Sequence, residues 1–383
     1  MHVTLVGVRD DWVENDSDSR ELGGQGLPPR VYATFFDSSY AARGLVLIDS
    51  LRQVGDSSPI MIVCFDDDAR AAVLALADSA VTALDVAELE RRFPELAAVR
   101  TQRTRAEYFF TCTPYVTLLA AELVAVDGWA VYLDADMWFA GSTAALYAEL
   151  DAPATGQPAD VGIVAHEFRA DRPSLNRFGR FNVGWVSFRN NERGLEVLRW
   201  WAEQCLRRCR DEPADGLFAD QGYLDSFPDF GPHVRQISHP GVGVGPWNLH
   251  ARRFTLTADG DVRCNDADLI CYHFHGLRHI GRRYVAMHVA FGNRADAVVQ
   301  KHVYAPYVAA LSSADQSLAR RPPARRGRGT RGAAARARRG WYYLLALARG
   351  ESWPISPARA PRLADPMGSP ERRSTSATSS QSR

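Results

Sequence analysis

From residue 31 onward, short continuous apolar runs alternate with stretches whose apolar positions have helical spacing. Residues 31–36 read as a buried strand, 40–54 as a helix, 60–65 as a second strand and the alanine-rich 69–77 as a second helix. A third short strand is expected at 80–86 and a long helical region at 105–126. An apolar strand at 129–133 then runs directly into Asp134-Ala135-Asp136. Strands alternating with helices predict an α/β domain with a mostly parallel central sheet flanked by helices. In open sheets of this kind, ligands bind outside the carboxyl ends of the strands. Asp37 and the Asp134/Asp136 pair both stand at such ends.

The pattern loosens in the second half. Residues 161–166 and 181–188 read as strands, 194–210 as a helix rich in tryptophan and arginine, 240–248 as a loop and 269–274 as a further strand. Residues 1–30 are a loose, polar, glycine-rich lead-in. Past about 310 the composition turns to Arg, Ala, Pro, Gly and Ser, which predicts a basic, largely disordered tail over 311–383, with a helix around 341–349 as the exception.

Charge sharpens this division. From Arg320 to Arg383 there are 15 arginines against three acidic residues, which leaves 30 basic and 42 acidic residues in the body. A tail of that kind is drawn to anionic surfaces. The expectation is peripheral membrane contact at the inner face; nucleic acid would attract the same charge without specificity, and a plain solvated tail is the bland alternative. The first ten residues lack the basic-then-apolar pattern of a secretory signal, and no apolar run is long enough to span a bilayer, so a cytoplasmic location is expected. The six cysteines follow neither zinc-site nor disulfide-framework spacing and are expected to be mostly buried thiols.

Several residues carry candidate chemistry. Two carboxylates two apart at a strand end, Asp134 and Asp136, can converge on one hard cation, Mn²⁺ or Mg²⁺. Such a cation stabilises the charge that develops on a diphosphate leaving group. The segment from His273 through His275, Gly276 and Arg278 offers imidazoles that share one side of an extended chain. Either His273 or His275 could complete a metal site. Gly276 would let backbone approach a phosphate, and Arg278 would supply positive charge. Asp220-Gln221 and Asp37-Ser38-Ser39-Tyr40 each read first as helix caps. Asn182 places an amide in a buried strand, where it must find a partner.

In order along the chain, Asp134-Ala135-Asp136, Phe181-Asn182-Val183-Gly184, Asp220-Gln221 and His273-x-x-Gly276 resemble the motifs of retaining glycosyltransferases of family 8. That group includes lipopolysaccharide galactosyltransferases and glycogenin. Tyr108–Pro114, Gly179–Trp185 and Pro246-Trp247-Asn248 are similar to bacterial nucleotide-sugar transferases of cell-envelope polysaccharide clusters. The resemblance covers roughly residues 31–278. It implies a GT-A, Rossmann-like domain over 31–310, with a nucleotide-binding half (31–140) and a half that completes the metal and acceptor sites (141–310). By position it implies that Asp37 contacts the base and Tyr40 stacks on it. Asp134 would lie near ribose and metal, and Asp136 and His273 would ligate the metal. Asn182, Asp220 and Gln221 would surround the transferred sugar, with Arg278 standing in for a phosphate-binding lysine. Two departures stand out: the lysine-proline-tryptophan ending of the histidine motif is missing, and Asp-Ser-Ser-Tyr replaces Asp-Asp-Asn-Tyr.

The expected activity is transfer of a sugar from a nucleotide-sugar donor to a glycan or lipid-linked acceptor, metal-dependent and retaining, in envelope polysaccharide synthesis. Asp220 is the candidate nucleophile if the reaction is a double displacement. An inverting enzyme of the same fold would use Glu167 or Asp220 as general base. A metal-dependent phosphohydrolase and a non-catalytic carbohydrate-binding module are the readings from other classes.

Overall fold

The computed structural model describes residues 28–152, 157–319 and 333–355. The expected looseness of the lead-in falls on residues outside these but for its last three, and the expected disorder of 320–332 and 356–383 lies outside them too.

Seven strands form the central sheet: β1 (Arg30–Phe36), β2 (Ile60–Cys64), β3 (Val81–Asp85), β4 (Trp129–Leu133), β6 (Val161–Ala165), β7 (Phe181–Arg189) and β8 (Val234–Gln236), with β5 (Met137–Phe139) outside it. Their order is β3-β2-β1-β4-β7-β6-β8. Only β7 runs against the others: it is antiparallel to both β4 and β6, and the remaining pairings are parallel. The sheet is therefore mostly parallel, as the alternating pattern predicts.

Helices cover both faces, which is why β2 and β4 are buried at every position. Along β1 the faces alternate residue by residue. Val31 and Ala33 pack with α5 (Arg105–Ala121) and α7 (Glu192–Arg207), and Tyr32 and Phe36 with α1 (Ala41–Gln53), α2 (Asp67–Leu74) and α6 (Ala144–Asp151). The short helices α3 (Val86–Arg92) and α4 (Pro94–Arg100) lead into α5, which starts at a capping box between Thr104 and Glu107. That start sets the positions of Arg105 and Thr113 beneath the carboxyl ends of the strands.

The second half uses short strands. β9 (Phe254–Leu256), β10 (Val262–Cys264) and β11 (Ala267–Asp268) form a small antiparallel sheet, and β12 (Cys271–His273) pairs with β5. β12 is shorter than the strand expected at 269–274. β13 (Arg278–Ile280) and β14 (Arg283–Val285) form a hairpin, and a π-helical turn, Val299–Tyr304, leads into α8 (Ala305–Ala319). All six cysteines are buried and free, as their spacing predicts.

The expected end of the folded region at 310 is corrected. α8 continues through that position, and Leu311 and Ser312 are buried. Part of the basic tail also belongs to the fold. The helix expected at 341–349 is α9 (Ala333–Ala348), and β15 (Ser352–Pro354) adds a third strand to the β13–β14 hairpin. Between them Glu351 is fully buried, accepts a hydrogen bond from the Ala295 backbone N–H at 2.9 Å and faces His288 at 3.3 Å. A carboxylate that reaches an interior partner ties its segment down whatever the surrounding composition.

Candidate metal and substrate site

Asp134 and Asp136 lie in the tight turn between β4 and β5, closed by the Met137 N–H donating to the Asp134 carbonyl at 3.0 Å. The β12–β5 ladder sets His273 opposite Met137, and the Phe274 N–H donates to the Asp136 carbonyl at 2.9 Å. That register brings His273 Nε2 to 3.0 Å from Asp136 Oδ1 and 3.5 Å from Asp134 Oδ2. One ligand atom from each of the three lies within 4.8 Å of the others. His273 and Asp136 are buried, and Asp134 is partly exposed. Two carboxylates and an imidazole suit a divalent cation of the Mn²⁺ type, and three protein ligands leave coordination positions for substrate oxygens.

Behind the histidine, every polar atom that orients it has a partner. Nδ1–H of His273 donates to Asn182 Oδ1 at 3.1 Å, which turns Nε2 toward the carboxylates. Asn182 Nδ2 donates to Gln221 Oε1 at 3.0 Å and to His166 Nε2 at 3.3 Å. His166 Nδ1 donates in turn to the Gly179 carbonyl at 3.0 Å, and Gln221 Nε2 to the Phe178 carbonyl at 2.7 Å. Burial pushes His166 down to about 3, so it stays neutral and accepts through Nε2. Gly184 makes room for this packing. A Cβ there would stand 2.4 Å from His273 Nδ1 and 2.6 Å from Asn182 Oδ1.

Burial disfavours a charged His273, but Asp136 and then Asp134 more than offset that, so its pKa is raised. Burial opposes ionisation of Asp136 too; His273 outweighs it and holds the carboxyl well below the usual range. A cation entering here displaces the proton on Nε2.

The other expected residues divide. Asp220 is buried, and burial pushes its carboxyl up to about 7, with the charge of Asp134 adding to the effect and a hydrogen bond with Thr113 opposing it. It occupies the position before a 3₁₀ stretch, Gln221–Phe230, but makes no side-chain cap, so the cap reading is corrected; its carboxyl turns inward. Asp37 does not cap α1 either. The N-cap position is Tyr40, without a side-chain cap bond. Asp37 Oδ1 instead accepts from the Ser39 N–H at 2.9 Å, while Oδ2 pairs with Arg105 at 2.5 Å. His275 lies past the end of β12, exposed, with its ring 5.8 Å from that of His273 and outside the triad. The expectation that both imidazoles share one extended face fails because the strand stops at His273. Gly276 adopts a φ of +77°, a turn conformation that favours glycine. Arg278 starts β13 and is partly exposed, while Glu167 pairs with Arg252.

Four contributors were missed from sequence: His166, Tyr132, Thr113 and Arg43. Tyr132, two residues before Asp134 on the same strand face, donates its hydroxyl to Asp134 Oδ1 at 2.9 Å. Arg43 extends from the first turn of α1, stacks 4.7 Å over the Tyr40 ring and donates through Nη2 to the Leu277 carbonyl at 3.0 Å. Its Nε is buried with no hydrogen-bond partner among the described residues, and its charge helps to hold Asp136 ionised. The Asp-Ser-Ser-Tyr stretch three residues earlier was the available signal, since α1 opens at the strand end.

A buried carboxylate–imidazole cluster at the ends of parallel strands defines a candidate metal-site α/β protein. The chain belongs to the family of the uncharacterized protein YfnF of Bacillus subtilis strain 168, with which it is 30% identical over 249 residues, 64% of this chain and 81% of YfnF. It is also 23% identical over 280 residues to the uncharacterized YfnD of the same organism, 72% of this chain and 87% of YfnD. No family model matches. Among solved structures, it is similar to mouse xyloside xylosyltransferase 1 (17% identity, 64% of this chain and 98% of that one, TM-score 0.39). A second is the galactosyltransferase LgtC in complex with donor and acceptor sugar analogs (15%, 64% and 87%, TM-score 0.38). A third is the glycosyltransferase GlyE of Streptococcus pneumoniae TIGR4 (13%, 58% of this chain, TM-score 0.37), of which the chain spans about half, 49%.

Proposed function

We propose that the protein is a GT-A-type glycosyltransferase that moves a sugar from a nucleoside diphosphate donor to a glycan or lipid-linked acceptor, by a retaining reaction. The observation that carries this is the convergence of Asp134, Asp136 and His273 at the carboxyl ends of parallel strands, with Asn182 fixing the imidazole. Asp134, Asp136 and His273 would hold a Mn²⁺ or Mg²⁺ ion, which would supply positive charge to stabilise the leaving diphosphate. Asp134 and Asp136 would neutralise that cation, so the charge on the diphosphate still needs a partner. Arg43 is the better candidate than Arg278, because its guanidinium is already oriented near Asp136 and its buried Nε is short of a partner among the described residues.

In the reaction the bond between the sugar's anomeric carbon and the phosphate oxygen breaks, and a bond to the acceptor oxygen forms. The acceptor proton leaves with the diphosphate. Asp220 would be the nucleophile of a two-step version, and Asn182 and Gln221 would act on the sugar as well as through the network that orients His273. Asp37 and Tyr40 would receive the base, with Arg105 keeping the Asp37 carboxylate in place. Peripheral contact with the inner membrane face, as for a lipid-linked acceptor, is supported by Trp341 and Leu344, 59% and 60% exposed on α9 within the arginine-rich stretch.

A panel of nucleotide sugars with Mn²⁺, scored for hydrolysis and transfer, tests the reading. One donor should turn over, and EDTA should abolish it. No turnover of any donor under conditions where Mn²⁺ binds would refute it.

A further inference from the structure

Apart from the triad, Arg169, His250, Gly292, Asn293, Arg294 and Arg349 line a cavity of about 360 Å³. Arg169 is paired with Asp171, but no carboxylate of the described residues pairs with Arg294 or Arg349. Arg349 donates to the Asn293 carbonyl at 3.4 Å, which holds its guanidinium over the cavity. Partial burial, and after it the charge of Arg169, lower the pKa of His250 against the opposing hydrogen bond of Asn293 and charge of Asp171.

Several lining residues follow closely in sequence on aromatic residues packed around Trp247. Arg169 follows the stacked pair His166–Phe168, His250 follows Trp247, and Gly292 and Asn293 follow Phe291. The Trp247 ring lies 5.2 Å from those of His166 and His273, and 6.1 Å from those of His275 and Phe291. Asn293 Nδ2 donates to the Pro246 carbonyl at 3.0 Å, which fastens the two walls together. Arg43 approaches Asp136 from α1, whereas Asn293 is tied to the segment that carries Trp247, whose ring meets that of His273.

We propose that the cavity binds the phosphate of a phosphorylated acceptor, with the guanidinium groups of Arg294 and Arg349 as its partners. Guanidinium forks match phosphate oxygens in pairs. The volume is larger than a phosphate needs, so a sugar-sized group attached to it fits as well. The word acceptor rests on the transferase reading; the anion site does not.

The full chain is titrated with glucose 1-phosphate by calorimetry and with phosphatidylglycerol vesicles by co-sedimentation, phosphatidylcholine vesicles serving as blank. The double variant Arg294→Gln/Arg349→Gln should weaken at least one of these about tenfold. A control, Arg91→Gln/Arg207→Gln, removes the same charge from side chains that are 70% exposed elsewhere and should change neither. Weakening toward glucose 1-phosphate supports the site and marks a soluble ester as sufficient. Weakening toward vesicles alone supports it and marks a lipid-borne phosphate. If the double variant matches wild type on both probes, or the control loses as much, the site is overturned. Binding of a nucleoside diphosphate with Mn²⁺ should survive in the double variant. Its absence in wild type would count against the transferase reading and leave the phosphate arms to judge the cavity.

Discussion

Among the described residues, buried His273 and His288 each face a carboxylate, His273 from β12 itself and His288 against its neighbour Tyr272. His273 faces Asp136 at 3.0 Å with Asp134 beyond, and His288 faces Glu351 at 3.3 Å. Tyr272, the neighbour of His273, lies with its hydroxyl 3.4 Å from His288 Nε2 and 3.1 Å from that of Tyr304. The first pair has a spare, partly exposed carboxylate and an imidazole oriented from behind. The second is sealed, with no exposure on either partner. The same residue pair can hold a metal or hold a chain segment, and what separates the roles is access and spare ligand capacity.

The largest expected effect tests that separation on the open side. Asp136→Ala should lower metal-dependent turnover about a thousandfold or more, since several kcal/mol of charge stabilisation goes with the cation. The thermal transition should stay cooperative. A turnover that survives, or a chain that unfolds, would make this pair structural like the other.

On the sealed side, Glu351→Ala should cost about 1–3 kcal/mol in chemical denaturation, the scale for leaving the buried Ala295 N–H without its acceptor. Mn²⁺ binding by the folded fraction should persist. Truncation after Leu318 should destabilise comparably because it removes Glu351 and β15; truncation after Ile355 should not. Equal stability of the two truncations would detach the C-terminal segment from the fold.

How the sequence could be read differs between these pairs. Asp134-Ala135-Asp136 was legible because an apolar strand ends on it, and the strand–helix alternation gave β1 to β4. His273 could not be separated from His275, because alternation gives the side of an extended chain and not where the strand stops. Arg43 was hidden by its place on α1: the face it presents is decided by the loop at Leu277, far away in sequence. Glu351 was masked by the arginine-rich composition around it, since one buried carboxylate leaves no periodic trace. Asp37 and Asp220 looked like caps because that role is local; their partners Arg105 and Thr113 come from α5.

Smaller effects sharpen the comparison. Asn182→Ala or Gly184→Ala should weaken Mn²⁺ binding about 10–100-fold, the scale for losing the groups that orient a ligand. Corresponding changes near His288 should leave it unaltered. Mn²⁺ binding should also weaken as pH falls through the raised pKa of His273, because the proton and the cation compete for Nε2.

Asp220 gives the mildest test. Its folded pKa of about 7 is above the unfolded value of about 3.9. The stability it contributes is present below the unfolded value and lost as pH rises through about 7. In EDTA, Asp220→Asn should therefore gain on wild type by on the order of 2 kcal/mol between pH 5 and pH 8. A flat difference across that range would place the carboxyl in water.

The most direct measurement is a Mn²⁺ titration of wild type and His273→Ala followed by electron paramagnetic resonance, with His288→Ala as the structural comparison. The account predicts one tight site per chain in wild type, its loss in His273→Ala, and its retention in whatever fraction of His288→Ala folds. Equal Mn²⁺ binding by wild type and His273→Ala would contradict it.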